Sequence, residues 1–343
     1  MKTPIVVSAL ALWLCAVSPS HGRTDIEVSF NYFHNQLTPY GEWVQVADYG
    51  PAWHPLQVDP DWAPYVDGRW VHTDDGWTWV SDEPWAETVY HYGRWVYLDD
   101  YGWSWVPGYE WAPAWVSWRS SDDYVGWAPL PPEARWRPSV GFSVWVDTFY
   151  DIGPGYFHFC HTRDFGEPNL RRHIRPWREN TTIITNTVNI TNINYLADSG
   201  RIYTGGPQLA FIQSRSSTPL RSYRVVEDSR LSRSVIRGDE FVAFRPRVAA
   251  QPEMGLAAVA GSITRRLPGD KVDHGWRNVG AEADRNALRK RLRSQVEGLT
   301  PDLASARTVS RDSGDLSPKQ LQAFGSRTAD EPPTKGKPKD KAR

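Results

Sequence analysis

The sequence predicts a mainly β protein in which tryptophan-rich β-hairpin repeats pack as a small barrel or sandwich. Sixteen of the 19 tryptophans lie between Trp43 and Trp145, and the stretch that holds them is internally repeated. Within each repeat, large apolar side chains alternate with polar ones, the period of half-buried strands. We therefore expect a hairpin-repeat domain over residues 23–140, after a signal peptide over residues 1–22.

The repeat is defined by two short motifs separated by a turn. GRWV at residues 68–71 recurs at residues 93–96, and GWTWV at residues 76–80 recurs as GWSWV at residues 102–106. Between the motifs stand Asp-Asp-Gly and Asp-Asp-Tyr-Gly, residue types that favour hairpin turns because Asp and Gly tolerate left-handed backbone. A weaker copy precedes them over residues 40–53, and a truncated copy follows over residues 124–129.

The tryptophans of the repeats divide into two predicted groups. Each Trp-x-Trp pair places both rings on one face of its strand, which favours a core position. The predicted core tryptophans are Trp70, Trp77, Trp79, Trp95, Trp103 and Trp105. Tryptophans near prolines and loops are expected to be exposed and to form a ligand-binding surface, since exposed indoles stack on sugar rings or attract cations. These candidates are Trp85, Trp111, Trp115 and Trp118.

Two further regions follow the repeats. Residues 141–248 are predicted to form a second β-rich region, with an Asn/Thr-rich stretch at residues 179–196 as one long strand. Residues 249–343 are predicted to contain a linker, a short helix and a disordered basic tail. Leu288, Leu292 and Val296 recur at helical spacing before Gly298, which predicts an amphipathic helix at about residues 280–297. The last thirty or so residues have almost nothing to bury.

The N-terminal segment predicts export. Lys2 is followed by an apolar run from Ile5 to Val17 that is too short to span a bilayer, and then by small residues, as in a secretory signal peptide. A lipid anchor at Cys15 is disfavoured because Leu14 precedes it. The expected location is periplasmic, cell-surface or secreted. Cleavage would leave Cys160 as the one cysteine, so the mature chain has no internal disulfide.

The net charge of −1 hides an asymmetry between the two halves. Residues 23–150 carry 19 acidic and 6 basic side chains, whereas residues 151–343 carry 21 acidic and 32 basic ones. This split favours docking of the tail on the repeat domain or binding of the tail to an anionic surface. The simpler alternative is that the charges of each half merely keep its surface soluble. Nucleic acid is not an expected partner of an exported chain without a concentrated basic stripe.

No catalytic motif is found in the sequence. It contains no nucleophile elbow, phosphate-binding loop, zinc-protease motif or dinucleotide glycine pattern. His158, Cys160 and His161 are weak metal candidates, because a strand would point His161 away from the other two. We predict no metal, no cofactor and no catalytic residue, and we favour a protein that is not an enzyme.

The motifs YGRWV, GWSWVPG, WAPAWVSWR and YVGWAPLPP resemble an exported, tryptophan-rich bacterial domain family of unknown function, over roughly residues 28–220. The resemblance implies an envelope or secreted setting and supplies no catalytic residues. A looser similarity links the aromatic hairpins to choline-binding cell-wall repeats. We expect a binding or structural module for cell-envelope polysaccharide or peptidoglycan. The alternatives are a hydrolase of such polymers and a scaffold for another envelope protein.

Overall fold

The computed structural model describes residues 27–28, 30–99, 101–228, 231–248, 259 and 261–299. The strands are β1 (Glu27–Val28), β2 (Gly41–Val46), β3 (Gly50–Pro55), β4 (Arg69–Thr73), β5 (Gly76–Val80), β6 (Arg94–Leu98), β7 (Gly102–Val106), β8 (Val116–Ser120), β9 (Tyr124–Pro129), β10 (His158–His161), β11 (Val188–Asn189), β12 (Asn192–Leu196), β13 (Arg201–Gly205), β14 (Ser222–Glu227), β15 (Val235–Arg237), β16 (Glu240–Ala243), β17 (Arg247–Val248), β18 (Ile263–Leu267) and β19 (Val272–Asp273). The helices are α1 (Phe30–Leu37), α2 (Ala86–Val89), α3 (Val146–Phe149), α4 (Asn180–Thr185), α5 (Leu209–Gln213) and α6 (Glu282–Ser294).

The mainly β fold class is confirmed, with several sheets and one helix near the C-terminal end of the described chain. Each copy of the repeat lies on a hairpin: β2–β3, β4–β5, β6–β7 and β8–β9 are antiparallel pairs. Gly76 and Gly102 begin the second strands of the two best copies, both with a φ of +93°. A left-handed backbone is strained for other residues, which explains the glycine at this point of the repeat.

One pair of tryptophans lies directly across the ladder of each of these four hairpins. The pairs are Trp43–Trp53, Trp70–Trp79, Trp95–Trp105 and Trp118–Trp127. All these rings are buried in one continuous core. An indole removes roughly 150–250 Å² from water on burial, a gain of about 4–6 kcal/mol at about 25 cal/mol per Å² before entropy is counted. The repeat is therefore a unit of core construction.

The glycine that opens GRWV lies under the indole of the facing strand. A Cβ atom on Gly93 would stand 2.7 Å from Trp105 Nε1 and 2.2 Å from the carbonyl oxygen of Val106. Gly68 is in the same position against Trp79, and Gly41 against Trp53. The glycine thus allows the ring to fold back over the start of its partner strand.

Segments that follow the repeats complete their sheets. The six-stranded sheet has the order β18-β2-β3-β7-β6-β19, the seven-stranded sheet β12-β13-β5-β4-β14-β16-β15, and the four-stranded sheet β10-β9-β8-β11. A short two-stranded sheet joins β1 and β17. The predicted linker is wrong for residues 263–273, because β18 and β19 are the two edge strands of the six-stranded sheet. Edge pairing of this kind depends on contacts distant in sequence.

The prediction of one long strand at residues 179–196 is wrong. The stretch forms α4, then β11 and β12. Ile183 and Ile184 are both buried. Successive side chains point to opposite faces of a strand, so a strand with one buried face could not bury both, whereas a helix can. The Asn180 side chain donates to the carbonyl oxygens of Pro154 (3.0 Å) and Phe157 (2.6 Å), and this holds the start of the helix in place.

The predicted C-terminal helix is present as α6, whose Leu288 and Leu292 are buried. The signal peptide with Cys15 and the tail beyond residue 299 lie outside the described residues. None of the described helices is long and apolar enough to cross a membrane.

Candidate ligand-binding site

The four tryptophans predicted to be exposed are buried, so the predicted aromatic surface is wrong. Trp85, Trp111, Trp115 and Trp118 have between 0 and 8% of their surface exposed. Trp85, Trp111 and Trp115 lie on proline-containing connections between the hairpins, whereas Trp118 lies on strand β8 itself. Trp118 packs 4.5 Å from Trp70 between ring centroids, and Trp115 lies 3.8 Å beneath the Arg94 guanidinium. The six predicted core tryptophans are buried as well.

The candidate site is a cavity of about 480 Å³ at the edge of the six-stranded sheet. Its aromatic lining consists of Trp62, Tyr97, Trp103, Tyr156, Phe157 and Trp177. Trp177, with 54% of its surface exposed, is the most exposed tryptophan among the described residues. Sequence reasoning missed it because it stands alone, outside the repeats. The sequence feature that could have indicated its exposure is the pair of neighbours Pro176 and Arg178, which favour a position at the surface.

The buried aromatic groups of the cavity are held by specific contacts. Trp62 Nε1 donates to Glu83 Oε1 at 2.6 Å, and its ring packs 5.6 Å from Trp95. Trp103 packs against Tyr97 edge to face at 5.5 Å, and against Tyr156 at 4.6 Å. The repeat thus positions part of the site, since Trp103 and Tyr97 lie on the hairpin β6–β7.

Charged side chains form the rim of the cavity, and the arginines there have carboxylate partners. Arg171 contacts Asp61 at 2.9 Å and Asp67 at 2.7 Å. Arg175 contacts Glu179 at 2.8 Å, four residues further along the chain.

A third rim arginine belongs to the C-terminal segment. The Arg277 guanidinium lies 3.9 Å over the ring of Tyr97 and 3.8 Å from Asp273. Alternating donors and acceptors around an aromatic floor suit a ligand with many hydroxyl groups better than a concentrated anion such as phosphate.

Two half-buried titratable groups, Glu83 and His158, lie beside the aromatic lining. Burial raises the pKa of Glu83, and this effect outweighs hydrogen bonds from Tyr90, Trp62 and Ser81 that stabilise the carboxylate. Burial also lowers the pKa of His158, which lines the cavity, to about 4. His158 is therefore a neutral imidazole near pH 7, and its Nε2 atom is buried without a hydrogen-bond partner.

The weak metal candidates lie on β10. Cys160 is fully buried, and burial raises the pKa of its thiol, which keeps it protonated near neutral pH. His161 stacks on Tyr124 at 4.8 Å. Within the described part of the chain, no group of three or more His, Cys, Asp or Glu residues is placed to hold a metal ion.

A second, more open groove of about 1030 Å³ runs beside β11 and α5. Its lining includes Tyr203, Phe211 and the amide side chains of Asn186, Asn192 and Gln208. Trp77 reaches its floor but is itself buried, with Nε1 bonded to the carbonyl oxygen of Pro207 at 2.7 Å. The groove therefore presents no exposed indole.

One family model matches part of the chain. Comparison with curated proteins and with solved structures gives no match. The expected resemblance to a domain family of unknown function is confirmed over residues 34–134, which contain the four hairpins. The match ends before Trp177, so it covers one wall of the cavity and leaves the other outside. Residues 34–134 of this chain match the family of unknown function DUF6600.

Proposed function

We propose that this protein is a non-enzymatic binding module for cell-envelope polysaccharide or peptidoglycan, and that the cavity beside Trp177 is its binding site. The observation that carries the proposal is the exposure of Trp177 at the mouth of a cavity lined by other aromatic rings. The faces of sugar rings carry C–H groups, which pack on indoles, while their hydroxyl groups need paired donors and acceptors. The ion pairs on the rim supply both.

The proposed setting is the cell envelope. It is supported by the signal-peptide pattern at the N-terminus and by the aromatic hairpins, which stabilise a domain without disulfides. The structure places the described cysteine in the core. The basic C-terminal half is suited to contact with anionic envelope polymers.

A hydrolase acting on the same polymers is the main rival. Most enzymes that hydrolyse glycosidic bonds use two carboxyl groups in distinct environments, one of them able to donate a proton. The two aspartates that line the cavity, Asp61 and Asp273, are both engaged by arginines, at 2.9 Å and 3.8 Å. This arrangement favours binding without turnover.

The test is retention on purified peptidoglycan and on extracted envelope polysaccharide, with release of soluble fragments measured on the same samples. We expect retention without fragments for the wild type, and at least about tenfold weaker retention for Trp177→Ala, since loss of an aromatic hot-spot contact costs about 2 kcal/mol or more. Tyr195→Ala is the matched control, because Tyr195 is 45% exposed and lies outside the cavity.

The outcomes separate the hypotheses. Fragment release would favour the hydrolase. Equal retention of Trp177→Ala and Tyr195→Ala would remove the cavity as the site. Absence of retention on every polymer would contradict the binding function.

A further inference from the structure

The cavity has two walls from distant parts of the chain. One wall belongs to the hairpin β6–β7 and the segment around Trp62. The other includes Asp273, Arg277 and Asn278, which follow β18 and lie near the C-terminal end of the described residues. The C-terminal segment pairs with the sheet at this point through two residue pairs, Val272–Leu98 and Asp273–Tyr97. Trp276 anchors the segment as well, since its ring is buried and its Nε1 donates to the carbonyl oxygen of Asp151 at 2.7 Å.

Backbone contacts hold this loop against the turn that precedes β10. The N–H of Gly153 donates to the carbonyl oxygen of His274 at 2.7 Å, and the N–H of Gly155 donates to that of Gly275 at 2.8 Å. Gly275 has a φ of +89°, and a Cβ atom there would stand 2.7 Å from the backbone nitrogen of Tyr156. The close approach of the two backbones therefore depends on glycine.

Two ionic contacts link the loop to the repeat domain. Arg277 lies 3.9 Å from Asp99, and the other contact involves the imidazole of His274. His274 Nε2 lies 3.3 Å from Glu133 Oε1, and Glu133 also accepts a hydrogen bond from the Tyr49 hydroxyl. The His274 side chain is 25% exposed, so it can exchange protons with solvent.

The other charged groups near His274 also favour its protonated form. Asp151, which follows α3, and Asp273, on the loop itself, both attract the positive charge. Asp151 is in turn paired with Arg289 of α6 at 2.8 Å. The ring of Tyr156 lies 6.4 Å from the imidazole, and burial raises the pKa of Tyr156 so that it stays neutral.

We propose that residues 272–278 form a wall of the binding cavity whose docking depends on pH, because the contact between protonated His274 and ionised Glu133 adds to the anchorage that buried Trp276 provides. Ligand affinity then depends on the protonation of His274, because Arg277 and Asn278 reach the ligand only when the loop is docked. The dependence of affinity rests on the proposed binding function, whereas the docking of the loop does not.

The direction of the pH dependence follows from the two partners. Burial alone would lower the pKa of His274, but Glu133, Asp151 and Asp273 outweigh burial and raise it above the usual 6.5. For Glu133, burial would raise the pKa, but His274 and Tyr49 outweigh it and lower the pKa below the usual 4.5. Docking is therefore strongest between about pH 4.5 and 6.5. It weakens as the pH rises through the pKa of docked His274.

The first experiment measures docking without ligand, by hydrogen exchange of the full chain. The amides of Gly153 and Gly155 report on the loop, because their acceptors are loop carbonyls. After correction for intrinsic exchange, we expect their protection to fall as the pH rises from 6 to 9. The total fall should be about tenfold for each pH unit by which the pKa of His274 in the docked loop exceeds its pKa in the undocked loop. Protection that does not change with pH would overturn the proposal.

Substitutions separate charge from structure. His274→Lys keeps a positive charge throughout this pH range and should retain protection at high pH, whereas His274→Gln should be weakly protected at every pH. Gly275→Ala should undock the loop independently of pH. His72→Gln is the matched control, since His72 lies on β4 and bonds to Ser222 rather than to the loop. A wild-type profile for His274→Gln would contradict the proposal, and circular dichroism verifies that each variant folds.

The second experiment repeats retention on the polymer that the wild type binds, across the same pH range. Affinity that follows protection supports the proposal. Constant affinity while protection falls would show that the loop is not part of the site. If protection falls with pH but no polymer binds at any pH, the proposal about loop docking stands and only the proposed binding function is contradicted.

Discussion

Arg119 and Asp147 form an ion pair in the core, with 0% and 2% of their side chains exposed. Arg119 lies on β8 and Asp147 on α3. The same guanidinium donates to the Thr187 carbonyl oxygen at 2.8 Å and to Gln295 Oε1 at 2.6 Å. One buried charge thus joins the last hairpin of the repeat domain to both regions that follow it.

Loss of this cation should be severely destabilising. Arg119→Met leaves the Asp147 carboxylate buried without its counter-charge, and we expect the free energy of unfolding to fall by about 3–5 kcal/mol. Arg233→Met is the control, because the Arg233–Asp82 pair is exposed and should be worth less than about 1 kcal/mol. Urea denaturation of both variants measures the difference. Equal losses would contradict the role of Arg119.

The repeat glycine should be intolerant of a side chain because of the facing indole. Gly93 and Gly238 have similar φ angles, +64° and +59°, but nothing lies within 4 Å of a Cβ atom on Gly238. Gly238→Ala therefore reports backbone strain alone, about 1–2 kcal/mol. Gly93→Ala should cost about 1–3 kcal/mol more through overpacking against Trp105. Similar midpoints of thermal unfolding for the two variants would disprove this account of the motif.

Tryptophans of the core and of the cavity rim should differ in their effect on stability. Trp105→Ala removes a fully buried ring whose Nε1 bonds to the Tyr92 carbonyl oxygen at 2.7 Å, and should cost about 3–5 kcal/mol. Trp177→Ala should change stability by no more than about 0.5 kcal/mol. Chemical denaturation tests both. A large loss for Trp177→Ala would mean that Trp177 has a structural role.

Acid should destabilise the protein through His158. Its pKa is about 4 when folded against a usual 6.5, so the unfolded chain binds one more proton between these values. Stability should fall as the pH decreases from about 6.5 to 4, by a total of about 3 kcal/mol from this group. The free energy of unfolding of His158→Gln should depend less steeply on pH over this window. Parallel profiles for the two proteins would contradict the buried neutral imidazole.

Local chemistry explains what could be predicted and where prediction failed. The hairpins follow from alternation and from turn residues a few positions apart, and the C-terminal helix from the spacing of Leu288 and Leu292. The stretch 179–196 was predicted incorrectly because its alternation suits a strand, while burial of both Ile183 and Ile184 is decided by distant neighbours. Trp177 was missed for a related reason, since exposure of an isolated tryptophan depends on what packs around it.

By itself the sequence determined the hairpin unit, its repetition and the use of tryptophan to form a core, because these depend on contacts within about 25 residues. The tertiary structure decided which indoles face solvent and which segments share a sheet. It buried Trp85, Trp111, Trp115 and Trp118, and it brought Arg277 to the ring of Tyr97 across 180 residues of chain. The reason is physical. Many strands could pair with a given sheet edge and many rings could pack on a given indole, so the partners are selected only when the whole chain packs.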